Sequence, residues 1–348
     1  MKKRGINPIL KVNEEDEKLL YPEVVHVHLI TDNMIEIKFN KEVISASEYQ
    51  NYVITADGDK LEFEIAPYAF KTVTFRVKNM DNLSDKKIKL EIVRANIVDS
   101  QGQVVKKASF DVVRKDYFSQ IYTTDTGINI YAVSDVKHGS LVKAGKMVDI
   151  MLNKRRDIAQ EITNQKGGLS ILAYNEHAYM QPNLRFYYDR DYLYVEGFGG
   201  EIAQCTEYNL ERVKDITAYP DESILAHEFA HTIHITGIQN GDPKFYKRIE
   251  DTFEKVRQEG KWENTYSGSN PYEYFAVGTT IWFNVMSESK DGSFDGTRSA
   301  INTREELKEY DIDLYNILAD FYDDDVYFEE PWHKGSSPDL FDIQGRRR

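Results

Sequence analysis

The chain has 348 residues, of which 41% are hydrophobic, and a formal net charge of −14 at pH 7. This length allows two or three domains with a sizeable core, and no apolar run in it is long enough to span a bilayer. The negative charge argues against a nucleic-acid partner, because phosphate binding needs a basic surface. The single cysteine, Cys205, excludes an internal disulfide framework, and we expect it to fill a small apolar position in the core.

Residues 1–21 form an N-terminal segment that starts with the charged letters MKKR. A signal peptide would continue with an apolar stretch, and none follows here. Either the export signal is absent from this chain or the protein stays inside the cell. The β domain that follows and the single cysteine favour a secreted or cell-surface protein and leave a cytoplasmic location open.

Residues 22–114 predict a separate β domain, because their apolar and polar residues alternate between turn signals such as Asp57-Gly58. Such alternation favours a β-sandwich in which each sheet buries one face. His26 and His28 point to one side of a strand, either as a metal site or, as we favour, as ordinary surface residues. The alternating runs lie at residues 25–29, 34–39, 72–77 and 88–93.

The letters FNKEV at residues 39–43 and SASEY at residues 45–49 are similar to bacterial Ig-like repeats of surface-layer and exported proteins. The resemblance implies an Ig-like fold for this domain. It also implies association with a cell surface.

From residue 118 to about residue 335 the pattern indicates a second domain of mixed helices and strands. Ser140 is a candidate cap for a long helix over residues 141–164, which Gly167-Gly168 would close. Residues 192–200 are our candidate for an edge strand and its rim, with an ordinary loop as the alternative. Other predicted elements are a strand at 169–174, a hairpin at 184–188 and 192–196, a helical C-terminal lobe at 303–321 and a flexible tail at 336–348.

The pentapeptide His-Glu-Phe-Ala-His at residues 227–231 is the most informative feature of the chain. It lies in an apolar run with helical periodicity. Residues four apart share one helix face, so His227 and His231 can bind one metal ion while Glu228 reaches a water on that ion. The turn at residues 219–223 leads into a first turn that we expect to be rich in acidic residues, which suits a helix N-terminus.

A catalytic zinc site needs three protein ligands and one open position. The metzincin continuation is excluded, because its glycine position holds His234 and its last histidine position holds Gly237. Asp242 is better explained as a helix cap before Pro243. Glu273 lies on the first turn of a new apolar helix and completes a His-His-Glu set, although a capping box with Asn270 also accounts for it.

His234 shares the helical face of His227 and His231. It could be a ligand, a neighbour of the ligands or a substrate contact. A fourth protein ligand would close the site and make the zinc structural. We favour a pocket wall or a contact behind the ligands.

These residues resemble the gluzincin metallopeptidases of the anthrax lethal factor and Pro-Pro endopeptidase type. That family has H-E-F-G-H, then a tyrosine seven residues before the ligand glutamate, and Tyr266 lies seven before Glu273. The resemblance implies that the Tyr266 hydroxyl stabilises the tetrahedral intermediate. It also implies that an edge strand before the metal-binding helix, for which residues 192–200 are the candidate, binds the substrate backbone. The chain resembles a group of bacterial and fungal proteins more closely than it resembles that family. The similar stretches are residues 227–234, 262–266 and 270–283.

Val277 departs from the pattern of that group, which has glutamate four residues after the ligand glutamate. The missing carboxylate would orient a ligand histidine from behind. Its absence puts the ordering of the site, and hence activity, in question. Thr280 or Asn284 could substitute for it.

We therefore expect an α+β protein: an Ig-like β-sandwich at residues 22–114, then a zincin-like domain at 118–335 with an active-site helix and a mostly helical C-terminal lobe. One zinc per chain, held by His227, His231 and Glu273, would activate water for peptide hydrolysis. Glu228 would be the general base and Tyr266 the oxyanion contact. The alternatives are a decayed zinc-binding or surface-binding protein and a zinc hydrolase for a non-peptide substrate.

Overall fold

The computed structural model describes residues 21–325 and Phe328. Helices and several sheets make this part of the chain a mixed α+β structure that divides into two compact units. The β unit comprises residues 21–117 and Tyr179–Arg190; the α+β unit comprises Phe118–Ala178, residues 191–325 and Phe328. The predicted N-terminal segment before residue 21, nearly all of 326–335 and the predicted tail at 336–348 lie outside the described residues.

The β unit is built from short strands joined by tight turns. In its described part, one sheet has the order β5-β6-β2-β1-β9 and the other the order β4-β3-β7-β8. Asp57 and Gly58, which join β3 to β4, both have positive φ (51° and 97°), as a type I′ hairpin turn requires. The strands are β1 (Val24–Leu29), β2 (Met34–Phe39), β3 (Tyr52–Ala56), β4 (Asp59–Lys60), β5 (Phe63–Ile65), β6 (Thr72–Val77), β7 (Ile88–Ile92), β8 (Ala108–Asp111) and β9 (Val113–Arg114), with a 3-10 turn at Tyr49–Asn51.

Alternation of side chains explains why the two sheets share a core. Ile37 and Phe75 of the first sheet and Ile54 and Leu90 of the second are all buried in one apolar cluster. Each strand turns its apolar face to that cluster and its polar face outward. The four predicted alternating runs coincide with β1, β2, β6 and β7 to within about one residue.

The segment Tyr179–Arg190 belongs to the β unit. Arg185 is buried and donates to Glu36 Oε2 and, at 2.8 Å, to Thr74 Oγ1. The predicted hairpin at 184–188 and 192–196 is wrong, since Arg185–Tyr187 and Arg190–Tyr192 form 3-10 turns. Arg185 turns inward to pair with the buried carboxylate of Glu36. The backbone around it therefore forms 3-10 turns rather than the paired strands of a hairpin.

His26 and His28 do point to one side of β1, as expected. Their rings stack with centroids 4.1 Å apart, and His26 Nε2 lies 2.8 Å from Glu36 Oε1. Both rings are half-buried rather than free on the surface. The pair therefore borders the buried Glu36–Arg185 contact.

The α+β unit combines one sheet with the helices that cover it. The sheet has the order β10-β11-β12-β14-β13, parallel from β11 through β12 to β14 and antiparallel at its two outer pairs. Its elements are β10 (Gln120–Thr123), β11 (Asn129–Ala132), α1 (His138–Leu152), α2 (Arg156–Asn164), β12 (Gly168–Leu172), β13 (Gly197–Phe198), β14 (Ile202–Thr206), α3 (Glu207–Leu210), α4 (Ile224–His231), a π-helical segment (Thr232–Ile238), α5 (Gln239–Gly241), α6 (Pro243–Gln258), α7 (Pro271–Trp282), α8 (Arg304–Tyr310) and α9 (Ile312–Phe321). Of a further 3-10 turn at Ala178–Met180, only Ala178 belongs to this unit.

The core of this unit lies between the sheet and α4, which packs on both β14 and α7. Every residue of β12 is buried, as in a parallel strand that is covered on both faces. Cys205 of β14 is fully buried and free, as predicted. The predicted helical lobe at 303–321 is present as α8 and α9.

The long helix predicted over residues 141–164 is wrong, because the chain forms α1 and α2 separately. Arg155 leaves the helical conformation (φ −120°, ψ 61°), and its side chain binds Asp157 and Asp242 at 2.7 and 3.1 Å. Ser140 does not cap α1; its hydroxyl donates to Glu207 Oε1 at 2.9 Å instead. Among the described helices, none is long and apolar enough to cross a membrane.

Candidate metal centre

Helix α4 carries the pentapeptide, and the reasons it forms are local. Ser223 caps it by accepting a hydrogen bond from Ala226 N at 3.2 Å. Ile224, Leu225 and Phe229 are buried and fix the helix in the core. The acidic residues expected in the first turn lie just before the cap, so the first turn itself holds none.

His227, Glu228 and His231 come together at one point. One ligand atom from each lies within 4.8 Å of the others, and both imidazoles are buried, with 7% and 9% of their surfaces exposed. The spacing of four residues places the two rings on one helix face, with centroids 5.0 Å apart. The structure therefore brings the predicted histidine pair and glutamate into one cluster.

Glu273 reaches the same point from α7. Asn270 caps α7 by accepting from the amides of Tyr272 and Glu273, each at 3.0 Å, with Pro271 at the first position. The Glu273 carboxylate does not turn back to this cap. Its Oε2 lies 3.1 Å from His227 Nε2 and 3.5 Å from His231 Nε2.

The electrostatics of this cluster are those of a buried ion pair. Burial lowers the pKa of His227, but the contact with Glu273 outweighs burial and raises that pKa to about 9. Burial by itself would raise the pKa of Glu273, yet its contacts with His227 and His231 hold that pKa well below its usual range. The carboxylate is thus ionised at neutral pH and available to a cation.

Glu228 lies beside this group in a different environment. It is half-buried, and burial raises its pKa while the nearby histidines lower it. A carboxyl group whose pKa is raised is better suited to accept and return a proton than an ordinary one. This property fits the role predicted for Glu228.

Tyr266 lies over the cluster and is half-buried. Its hydroxyl donates to Glu273 Oε1 at 3.0 Å, and its ring stacks on His227 at a centroid distance of 6.0 Å. Burial and the carboxylates of Glu273 and Glu228 hold the pKa of Tyr266 above its usual range. The phenol therefore keeps its proton and can donate a hydrogen bond at this point.

Two glycines let the edge of the sheet approach α4 closely. A Cβ on Gly197 would lie 2.7 Å from Glu228 Cγ, and one on Gly199 would lie 2.5 Å from His231 Cβ. Thr232 holds the same loop by donating to Gly200 O at 2.5 Å. Of the edge strand predicted within residues 192–200, only Gly197–Phe198 form a strand, which is β13, the outer strand of the described sheet; its binding of a substrate stays a prediction.

His234 lies apart from the cluster, because the chain becomes π-helical at Thr232. It is fully buried, with ring centroids 5.0 to 5.4 Å from Tyr246, Tyr272 and Phe275. Burial lowers its pKa to about 3, and neither ring nitrogen has a hydrogen-bond partner among the described residues. His234 is therefore a neutral ring in an aromatic wall.

Asp242 is a helix cap, as its sequence context predicts. It accepts from Phe245 N at 3.1 Å and binds Arg155. Its carboxylate is thereby engaged by the first turn of α6 and by Arg155, which lies between α1 and α2. It offers no ligand to the cluster within the described chain.

Val277 is buried, and His227, a predicted ligand, lacks the support that a carboxylate would give. In the part of the chain that the structure describes, His227 Nδ1 has no hydrogen-bond partner. The proposed substitutes do not supply one: Thr280 donates to Val277 O at 2.7 Å, and the side-chain oxygen of Asn284 makes no hydrogen bond with any described group. Among the described residues, nothing therefore replaces the carboxylate that is missing at Val277 as a partner of His227 Nδ1.

Arg298 was missed by sequence reasoning. Its guanidinium binds Glu222 Oε2 through Nε at 3.2 Å and Nη2 at 2.8 Å. The two residues are 76 positions apart, and no motif marks either of them. Only the folded chain brings this pair to the start of α4.

Comparisons with known proteins place the chain in no family. No family model matches it, and no curated protein matches it. The N-terminal part of the bacterial S-layer protein SbsC aligns with 32% of this chain and 28% of its own at 18% identity and a TM-score of 0.27; rSbsC(31-844) aligns with 32% and 16% at 19% identity and a TM-score of 0.26. The chain thus spans less than a third of these S-layer chains.

A leukotriene A4 hydrolase from Saccharomyces cerevisiae aligns with 92% of this chain and 68% of its own. Its identity is 10% and its TM-score 0.19. At such scores neither this likeness nor the S-layer likenesses carry a conclusion about fold or activity. The site must therefore be judged by its own geometry.

Proposed function

We propose that this protein is a zinc-dependent endopeptidase of the gluzincin type. The observation that carries the proposal is the convergence of His227, His231 and Glu273 from two helices, with Glu228 beside them. This donor set is the one that catalytic zinc sites use when they keep an open position for water or substrate. The fold that we propose for residues 118–335 is accordingly zincin-like.

The residues present fit a divalent cation. Glu273 Oε2 is buried and, within residues 21–325 and Phe328, accepts no well-directed hydrogen bond, although it lies 3.1 Å from His227 Nε2. If a cation replaced the proton on His227, lone pairs from both histidines and from Oε2 would converge on it. Such a buried polar atom is costly unless a cation satisfies it.

Zinc bound there would act as a Lewis acid and bring the pKa of a coordinated water close to neutrality. The chain's own residues would do the rest. Glu228 would accept the proton of the attacking water and return it to the leaving amine. Tyr266 would donate its hydroxyl hydrogen bond to the developing oxyanion, since its phenol stays protonated.

The outer strand β13 supports a peptide as the substrate. Gly197 of this strand lies directly against Glu228, and Gly199, just after the strand, lies directly against His231. An extended peptide that pairs with this edge would be carried past the metal site. A small amide or a sugar would gain nothing from such an edge.

A second candidate is a zinc-binding protein whose peptidase activity has decayed. The unpartnered Nδ1 of His227 favours it, because outer partners of ligand histidines commonly contribute tenfold to about hundredfold in metal affinity or activity. The intact Glu228 and Tyr266 speak for the enzyme. Zinc binding without turnover of any peptide would establish the second candidate.

For the β unit we propose an Ig-like fold, supported by two sheets that share one core. Such a unit suits a secreted or cell-surface protein, which is the location that we propose. A protease-protection assay on intact producing cells tests it. Digestion of the protein by the added protease only after the cells are lysed would contradict this location.

The function is tested by metal content and by turnover. We expect one zinc per chain in the parent and much less in Glu273→Ala, measured by elemental analysis. Equal zinc in both proteins would remove Glu273 as a ligand and weaken the peptidase proposal.

Turnover is tested with Glu228→Gln, which keeps the size of the side chain but removes its basicity. It should retain zinc and lose at least about hundredfold in kcat on a peptide library. Normal cleavage by this variant would refute the mechanism.

A further inference from the structure

A compact turn at residues 295–298 lies next to the segment that carries Tyr266. Asp295 Oδ1 accepts from the amides of Thr297 and Arg298 at 3.0 and 2.8 Å, and Asp295 N donates to Arg298 O at 3.1 Å. Gly296 has φ +92°, which a glycine adopts without strain. The turn is therefore internally ordered.

One side of this turn holds the tyrosine segment. Thr297 O accepts from Tyr266 N at 2.9 Å, and Gly296 N donates to Asn264 O at 2.7 Å. The Asn264 side chain also donates to Phe294 O. Two main-chain hydrogen bonds and one from the Asn264 side chain thus hold the segment of Asn264 and Tyr266 to the turn and the residue before it.

The other side of the turn holds the start of α4. Arg298 directs Nε and Nη2 at Glu222 Oε2, and the side chains of this pair are only 16% and 10% exposed. Glu222 directly precedes Ser223, whose hydroxyl caps α4. The guanidinium also lies 5.7 Å from the centre of the Tyr219 ring. Adjacent residues, Thr297 and Arg298, therefore join Tyr266 to the metal-binding helix.

We propose that this turn is a positioning brace, and that Arg298 sets the place of the Tyr266 hydroxyl relative to the metal site. The proposal rests on the proposed function, in which Tyr266 donates to the oxyanion. A mostly buried ion pair makes the connection stiff, because separating its partners would leave a charge unpaired. A displacement of about 1 Å in a catalytic group costs up to about hundredfold in rate.

The test follows Tyr266 directly, without metal and without turnover. 3-Fluorotyrosine placed at position 266 reports its surroundings by fluorine NMR in the full chain. In Arg298→Gln we expect a shifted or broadened resonance, and in Arg298→Lys, which keeps the charge but not the second donor, an intermediate one. An unchanged resonance in folded Arg298→Gln would overturn the brace.

Arg212→Gln is the matched control. Arg212 Nη2 lies 3.5 Å from Asp221 Oδ1, which is the neighbour of Glu222, and this pair is also mostly buried. The Arg212 pair is not part of the turn, so its loss should leave the resonance at position 266 unchanged. A shift as large as that of Arg298→Gln would mean that any loss near the start of α4 moves Tyr266, and would refute a specific brace.

Kinetics of the zinc-loaded enzyme supply a second measurement. Arg298→Gln should lower kcat about tenfold to hundredfold while KM changes by less than about twofold, because the brace acts through a transition-state contact. If Arg298→Gln does not fold, the isosteric Glu222→Gln takes its place, and an unchanged resonance there overturns the proposal. A parent that turns over no peptide while the resonance responds as expected would refute the proposed function and support the brace.

Discussion

Replacement of Gly199 by alanine tests the close contact between the sheet edge and α4, which carries the proposed metal ligands. The added Cβ would lie 2.5, 2.6 and 2.7 Å from three atoms of His231, where ordinary contacts begin near 3.4 Å. The loop cannot retreat freely, because Thr232 holds Gly200 O and β13 pairs with β14. Relief must therefore come from a shift of His231 or of the loop.

Overpacking of this kind commonly costs about 1–3 kcal/mol of stability. We expect a loss in that range for the metal-free protein. Because His231 is a proposed ligand, zinc affinity should fall by about tenfold to hundredfold as well. Urea denaturation and a zinc-chelator competition titration measure the two effects separately.

Gly139→Ala is the matched control for this substitution. Gly139 lies in α1, and a Cβ there would meet nothing within 4 Å. Alanine should stabilise that helix by up to about 1 kcal/mol and leave zinc affinity unchanged. If Gly199→Ala behaved like Gly139→Ala in both measurements, the inferred contact between Gly199 and His231 would be refuted.

Three further outcomes are expected. Tyr266→Phe should keep zinc and KM while kcat falls about hundredfold or more, and steady-state kinetics with unchanged kcat would exclude an oxyanion role. Chelation of zinc should lower the temperature of unfolding of the parent but not of Glu273→Ala, as calorimetry would show, because bound metal stabilises only the folded state. Burial opposes ionisation of Glu36, but His26 and Arg185 lower its pKa from 4.5 to about 2. The resulting stabilisation, up to about 3 kcal/mol, is full above pH 4.5 and is lost as the pH falls towards 2. Between pH 5 and pH 3, the free energy of unfolding measured in urea should therefore fall less for Glu36→Gln than for the parent. Equal decreases in the two proteins would contradict this assignment.

Local patterns were predicted well where neighbours along the chain decide the outcome. The caps Asp242 and Asn270 and the apolar face of α4 follow from short-range sterics and hydrogen bonds, which the order of residues determines. The same reasoning failed at Arg155, because that arginine leaves the helix to bind Asp157 and Asp242. A local helical pattern is interrupted where a side chain pairs with a residue far away in the sequence, as Arg155 does with Asp242.

The sequence by itself determined that two histidines and a glutamate share one helix, since spacing alone sets the face on which a helical residue lies. The sequence left open whether the Glu273 side chain caps its own helix or faces those histidines. Because α7 packs on α4, the side chain faces the histidines. The π-helical turn that removes His234 from the cluster and the Arg298–Glu222 pair likewise exist only in the tertiary structure. Contacts between residues tens of positions apart depend on how helices and sheets pack, and no short stretch of sequence carries that information.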